Sequence, residues 1–194
     1  MKLVSGKMGD IYIYTGNGAG KTTNTLGLAL RCVGHKKKVV IIQFLKWWKN
    51  IGEIKVKDKL KPYYEIYQFG RPVWLNVTGK KKKSIKVNGM KFKVEDMVEL
   101  DKKLCEKALE FAEKIVKKKK VHLLVLDEIN LAMHLDLIDT KRVIKFLKKV
   151  PKRTHVVLTG RYAPKEIYRI ADFVNEINVI KMPKKLRSVE GIQY

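Results

Sequence analysis

Thr15-Gly16-Asn17-Gly18-Ala19-Gly20-Lys21-Thr22-Thr23-Asn24-Thr25 follows a short apolar run, Ile11-Tyr12-Ile13-Tyr14. It leads into a helical pattern that sets Leu26, Ala29, Leu30 and Val33 on one face. A glycine-rich turn between a strand and a helix presents consecutive backbone N–H groups at the positive end of the helix. Those dipoles, with the ammonium of Lys21, make a cradle for a polyphosphate. Thr22 supplies a hydroxyl where phosphate-loop proteins keep a magnesium ligand. The general pattern asks for glycine at position 15, where this chain has Thr15, so the loop from Gly16 to Thr22 is one residue shorter than the pattern. A chance Gly-rich turn is the bland alternative, and the coincidence of strand, turn and helix signals weighs against it.

A chain of 194 residues with 45% hydrophobic and 32% charged content is long enough for a sizeable core and is expected to form one domain over residues 1–194. No apolar run reaches the length of a membrane span, and Met1 to Asp10 lacks the apolar stretch of a signal peptide, so a cytoplasmic location is expected. Cys32 and Cys105 lie in helical patterns without partners at metal spacing and read as buried free thiols. The four histidines, His35, His122, His134 and His155, show no metal spacing either. The net charge of +24 admits nucleic acid, an acidic partner, a polyanionic ligand or a lysine-rich proteome. High-temperature organisms enrich lysine together with glutamate, yet 43 Lys and Arg stand here against 19 Asp and Glu. Aromatic residues are not interleaved with the lysine runs, so binding nucleic acid is not the expected main role.

Further along, Lys38 to Phe44 is a continuous apolar run suited to a parallel strand buried on both faces, followed by a loop carrying Trp47 and Trp48. Tyr63 to Phe69 reads as a strand and ends in the irregular Gly70-Arg71-Pro72-Val73-Trp74. Residues 75–93 hold seven lysines and no acid. Alternation around Asn88-Gly89 there predicts a hairpin insertion. An amphipathic helix is predicted from Val94 to Lys118, with Met97/Val98, Leu104/Cys105, Ala108, Ala112 and Ile115/Val116 as its buried stripe. Val121 to Asp127 reads as a buried strand, Asp139 as the cap of a helix that Pro151 stops, and Thr154 to Thr159 as another strand. Pro164 opens a short helix through Ile170, and Asp172 to Ile180 reads as the last strand. Alternating strands and helices predict an α/β fold with a mainly parallel sheet covered on both faces.

In such a sheet ligands bind at the carboxyl ends of the strands. The Gly16–Thr22 loop, Gln43, Asp127-Glu128 and Gly160-Arg161 all fall at predicted strand ends. An apolar strand ending in Asp-Glu, downstream of a phosphate loop, is the usual second half of a nucleotide site, where the aspartate orients magnesium and its waters. Arg161 is either a clamp on a phosphate oxygen or an ordinary solvated arginine.

The sequence resembles the ATP:corrinoid adenosyltransferases of the CobA/BtuR/CobO type over nearly its whole length apart from residues 75–93. The likeness rests on TGNGAGKTT at 15–23, LRCVGH at 30–35, VVIIQFLK at 39–46, GE at 52–53, LVLDE at 124–128, TGR at 159–161, Ala171-Asp172 with Glu176, and the closing Gly191-Ile192-Gln193-Tyr194. The shortened phosphate loop and Arg31 fit this family well. The resemblance implies a RecA-like fold, a homodimer, and transfer of the 5′-deoxyadenosyl group of ATP to cobalt(I) of a reduced corrinoid with loss of tripolyphosphate. It implies that Lys21, Arg31, Arg161 and the loop residues Gly16, Asn17, Gly18, Ala19, Gly20, Thr22 and Thr23 hold ATP. Thr22 with Asp127 or Glu128 would hold Mg2+. In the family an aromatic pair at the positions of Pro72 and Trp74 displaces the lower axial ligand of the corrinoid. Here Trp74 is present, Pro72 stands where phenylalanine is frequent, and Gln193 stands where an acid is frequent. Lys80, Lys81, Lys82 and Lys83 belong either to a solvated hairpin or to a docking surface for an acidic flavoprotein electron donor. A P-loop nucleoside kinase, which would release ADP, and a nucleic-acid-dependent RecA-like ATPase share both nucleotide motifs.

Overall fold

A computed structural model describes residues 9–77, 84–87, 90–183 and 189–192. Strand β1 (Ile11–Thr15) feeds helix α1 (Lys21–Gly34), which returns the chain to β2 (Val39–Phe44). The short α2 (Gly52–Lys55) and β3 (Tyr64–Phe69) follow, then β4 (Trp74–Leu75), β5 (Ser84–Val87) and β6 (Met90–Glu95). Helix α3 (Glu99–Lys118), β7 (Leu123–Asp127), α4 (Ile129–His134), α5 (Thr140–Leu147), β8 (His155–Thr159), α6 (Lys165–Tyr168) and β9 (Phe173–Glu176) complete the order. Six strands form one sheet in the order β3-β2-β7-β8-β1-β9, every neighbouring pair parallel. With helices on both faces this is the α/β, RecA-like arrangement expected.

The central strands are apolar except for Gln43 and Asp127 near their carboxyl ends, because neither face meets water: all six residues of β2 and all five of β7 are buried. The larger core layer packs Val40, Ile42, Phe44, Leu124, Leu126 and Leu158 against α3, α4 and α5. On the opposite face Val39, Ile41, Val125 and Val157 meet α1 through Ala29, Leu26 and Val33. Leu30 does not join them; it is 62% exposed, so the buried face of α1 is narrower than its periodicity suggested.

Helix α3 begins at Glu99 rather than at Val94. Val94 and Glu95 are instead drawn into β6 by parallel pairing with Trp74 and Leu75. Val98, expected in the buried stripe, sits at the helix N-cap and is 49% exposed. Asp101 accepts from the Val98 N–H at 2.9 Å, satisfying a donor that the helix start leaves open. Asp139 caps α5 as expected, accepting from the Lys141 N–H at 2.9 Å. β9 is shorter than its sequence run and ends at Glu176.

The hairpin expected near residues 84–92 is present as antiparallel β5 and β6, with Ile85 opposite Phe92 and Val87 opposite Met90. Its Asn88-Gly89 turn, Lys80 to Lys83, and Gln193 lie outside the described residues. Among the described residues no helix is long and apolar enough to cross a membrane.

Candidate functional site

The loop after β1 is held from two sides. Gly18 donates its N–H to the Ile177 carbonyl at 2.7 Å, so the chain just past β9 clamps it from above. Gly16 takes a φ of 93°, and a Cβ there would lie 2.4 Å from the Ile177 oxygen; only glycine fits. From below, Lys21 donates to the Gly16 carbonyl at 2.8 Å and to the Gly18 carbonyl at 2.6 Å. Lys21 is only 8% exposed, so it is a buried strut of the loop as well as a cation beneath it.

Asp127, fully buried at the end of β7, is the hub. Its Oδ1 accepts from the Thr22 hydroxyl at 2.9 Å and the Thr159 hydroxyl at 2.6 Å. Its Oδ2 accepts from Lys46 Nζ at 2.7 Å and Gln43 Nε2 at 3.0 Å. Strand register explains the meeting: Gln43 pairs with Asp127 across β2 and β7, and Thr159 ends the neighbouring β8. Thr22 reaches the same point because α1 lies over β7, β8 and β2. Lys46 also lies 3.2 Å from the Thr22 hydroxyl. Leu45 turns the chain with a φ of 60°, and Gly70 packs so closely that a Cβ on it would lie 2.7 Å from the Lys46 nitrogen. Gly70 thus gives the Lys46 backbone room to sit where it does.

Charge here is unevenly matched. Burial opposes the ionised form of Asp127, but the Lys46 charge and the bonds from Lys46, Thr159 and Thr22 outweigh it and hold the carboxyl below its ordinary range. Burial likewise opposes the Lys46 ammonium, and Asp127 and Glu128 more than compensate, raising its pKa. Glu128 moves the other way: burial and the adjacent Asp127 push it up, only partly offset by Lys46, Lys21 and Arg161. Burial depresses Lys21. Three cations therefore surround two carboxylates at the positive end of a helix, a setting for a polyanion bearing its own divalent cation.

Beside this cluster opens a cavity of about 530 Å³. Lys46, Glu128 and Arg161 line it together with Trp47, Trp48 and Trp74. Trp47 is fixed by its indole N–H, 2.8 Å from the Val73 carbonyl.

Gly16, Gly18, Gly20, Lys21, Thr22, Asp127 and Glu128 are thus brought to one place, and Arg161, which is exposed, and Trp74 both line the adjoining cavity. Asn17, Ala19 and Thr23 are exposed on the same loop and first turn. Arg31 is exposed in the last turn of α1, ten residues beyond Lys21 and so about 15 Å along the axis. The helix does not bring it to the loop. Sequence reasoning missed Lys46, Thr159, Trp47 and Trp48. Lys46 sits two residues past the end of β2, at the ligand-binding edge of a parallel sheet, which was the signal available.

Among the described residues no three His, Cys, Asp or Glu side chains gather as metal ligands. The hydroxyl of Thr22 and the oxygens of Asp127 are nevertheless hard donors of the kind Mg2+ takes along with substrate phosphates, and both already hold a cation, Lys46. The donor set fits that metal.

The comparisons with known proteins agree with this chemistry. A family described as ATP:corrinoid adenosyltransferase BtuR/CobO/CobP matches residues 7–194. A corrinoid adenosyltransferase of Sinorhizobium sp is 31% identical over 189 residues, covering 96% of this chain and 80% of that protein. Corrinoid adenosyltransferase CobA of Salmonella typhimurium is 29% identical over 189 residues, covering 96% and 86%. That of Escherichia coli K12 is 29% identical over 174 residues, covering 89% and 78%. With its phosphate loop, buried aspartate and mainly parallel sheet, the chain belongs to the ATP:corrinoid adenosyltransferase family.

Proposed function

We propose that cobalt(I) of a reduced corrinoid attacks the 5′ carbon of ATP in the cavity lined by the tryptophans beside the Asp127 cluster. The cobalt electron pair forms the Co–C bond, the C5′–O bond breaks, and its pair leaves on tripolyphosphate. The observation that carries this reading is the cavity itself: its lining combines the cations Lys46 and Arg161 and the carboxyl of Glu128 with three indoles suited to a flat macrocycle.

A leaving tripolyphosphate gathers negative charge, so the protein's task is to neutralise it in place. Lys21, the amides of Asn17 and of Ala19 to Thr23, and Arg161 would do so, the Gly18 amide being taken by Ile177. Thr22 and Asp127, with Glu128 beside them, would hold Mg2+, whose chemistry here is to offset charge on the departing phosphates. Lys46, beside both the Thr22 hydroxyl and Asp127, would add a further positive charge next to the same phosphates. Trp74 would exclude the lower axial ligand of the corrinoid, which makes cobalt(II) easier to reduce. We further propose a cytoplasmic homodimer that draws its electron from a reduced flavoprotein, on the strength of the family resemblance.

The test is incubation of the protein with chemically reduced cobalamin, Mg2+ and ATP. A light-sensitive adenosylated corrinoid and tripolyphosphate should appear in equal amounts. Release of ADP or orthophosphate without an adenosylated product would overturn the proposal in favour of a kinase or an ATPase.

A further inference from the structure

The hairpin of β5 and β6 enters the sequence as a lysine-rich appendage, yet its one aromatic side chain, Phe92, meets three tryptophans. Its ring centroid lies 5.7 Å from that of Trp47, 5.7 Å from Trp48 and 5.7 Å from Trp74. The interplanar angles are 67°, 66° and 41°, edge-on or tilted contacts that suit aromatic quadrupoles. The indoles come from two segments distant in sequence, the loop after β2 and strand β4. All three line the cavity, whereas Phe92 stands outside its lining.

The hairpin is anchored where this contact needs it. Trp74 and Leu75 pair with Val94 and Glu95. Arg71 reaches Glu95 at 2.6 Å and grips both oxygens of Asp101, at the start of α3, at 2.8 Å. Asn76 donates to Asp96 at 2.9 Å. These bonds fix β6 against β4, so Phe92 is presented to the tryptophans by a braced strand.

We propose that Phe92 is a positioning residue for corrinoid binding. It holds the indoles of Trp47, Trp48 and Trp74 at the angles that shape the cavity for a planar macrocycle. The inference rests on the cavity being the corrinoid cleft. Indoles ordered in advance do not have to be ordered by the ligand, so losing the ring weakens corrinoid binding and leaves ATP alone. The lysine-rich hairpin is, on this view, the brace behind the wall of the site.

The test measures KM for corrinoid and for ATP separately, together with quenching of tryptophan fluorescence by hydroxocobalamin, which needs no turnover. Phe92→Ala should raise the corrinoid KM and the cobalamin Kd about tenfold or more, with the ATP KM within about twofold of the parent. Phe92→Tyr keeps the ring and should restore both values, while Phe92→Leu, apolar but ringless, should not. If the parent fails to bind cobalamin, the cleft reading fails. If the parent binds and Phe92→Ala binds as tightly, or if Phe92→Ala raises both KM values alike, Phe92 does not position the corrinoid wall and the inference is overturned.

Discussion

Each end of the parallel sheet holds a carboxylate among lysines, and the two differ in what remains unsatisfied. At the amino end Glu65, in β3, pairs with Lys38 at 2.5 Å and Lys119 at 2.8 Å, and accepts from the Tyr67 hydroxyl at 2.8 Å. At the carboxyl end Asp127 is as fully bonded, but Glu128 beside it is pushed up by burial and by Asp127 itself. Helix polarity separates the two further. The C-termini of α1 and α3 face the amino end, so Lys36, Lys37, Lys38, Lys119 and Lys120 answer carbonyl dipoles as well as Glu65. The N-terminus of α1 faces the carboxyl end, where helix and lysines add to one another. A lysine cluster at a helix C-terminus is a staple; at a helix N-terminus it is an anion site.

The sharpest way to break this contrast is at Asp127. Asp127→Asn places an amide NH2 among donors from Thr22, Thr159, Lys46 and Gln43 and leaves Lys46 without its buried partner. Adenosyl transfer should fall about a thousandfold, and stability by roughly 3–5 kcal/mol. Transfer above a tenth of the parent rate, with a matching melt, would remove Asp127 from the hub.

Lys21→Ala comes next. The buried ammonium bonds two loop carbonyls, so the substitution removes a strut of the loop as well as a charge. Transfer should fall about a hundredfold or more, and the variant should lose about 1–3 kcal/mol in denaturant melts. An unchanged melt would mean that the loop holds its shape through Ile177 alone.

These two sites mark where the sequence was legible and where it was not. Strand ends carry their chemistry openly: Thr22, Asp127 and Arg161 stand beside glycines or at the close of apolar runs. Lys46 was hidden by numbers, one cation among 43, with only its place just past the end of β2 to distinguish it. Trp47, Trp48 and Phe92 acquire meaning only from a contact across some forty-five residues of chain, which no periodicity reports. Leu30 and Val98 failed in the opposite sense, since helical spacing identifies a face but not whether anything covers it.

Trp74→Ala separates reduction from transfer. The indole is 36% exposed at the cavity edge, so its loss should leave the fold intact. Turnover starting from cobalt(II) should drop about tenfold or more, while turnover from pre-reduced cobalt(I) should change by no more than about threefold. Equal losses in the two assays would make Trp74 a packing residue only.

The smallest expected effect lies at the amino end, where the contrast predicts stability without activity. Burial alone would raise the Glu65 pKa, but the hydrogen bonds from Lys119, Lys38 and Tyr67 outweigh it and hold the group at about 2, against an ordinary value of 4.5. A carboxyl depressed on folding stabilises fully above its unfolded pKa, and that contribution is lost as pH falls from about 4.5 to 2. Because the side chain is 21% exposed, solvent screening trims the effect to about 1–3 kcal/mol. Glu65→Gln should therefore melt a few degrees lower at pH 7 and lose less stability than the parent across the acid window. Adenosyl transfer at pH 7 should be unchanged, since Glu65 and Asp127 lie at opposite ends of the strands. A parent-like acid slope in Glu65→Gln would show that this cluster is not a staple. A fall in transfer at full folding would show that the two ends of the sheet are coupled, and the division between them would have to be withdrawn.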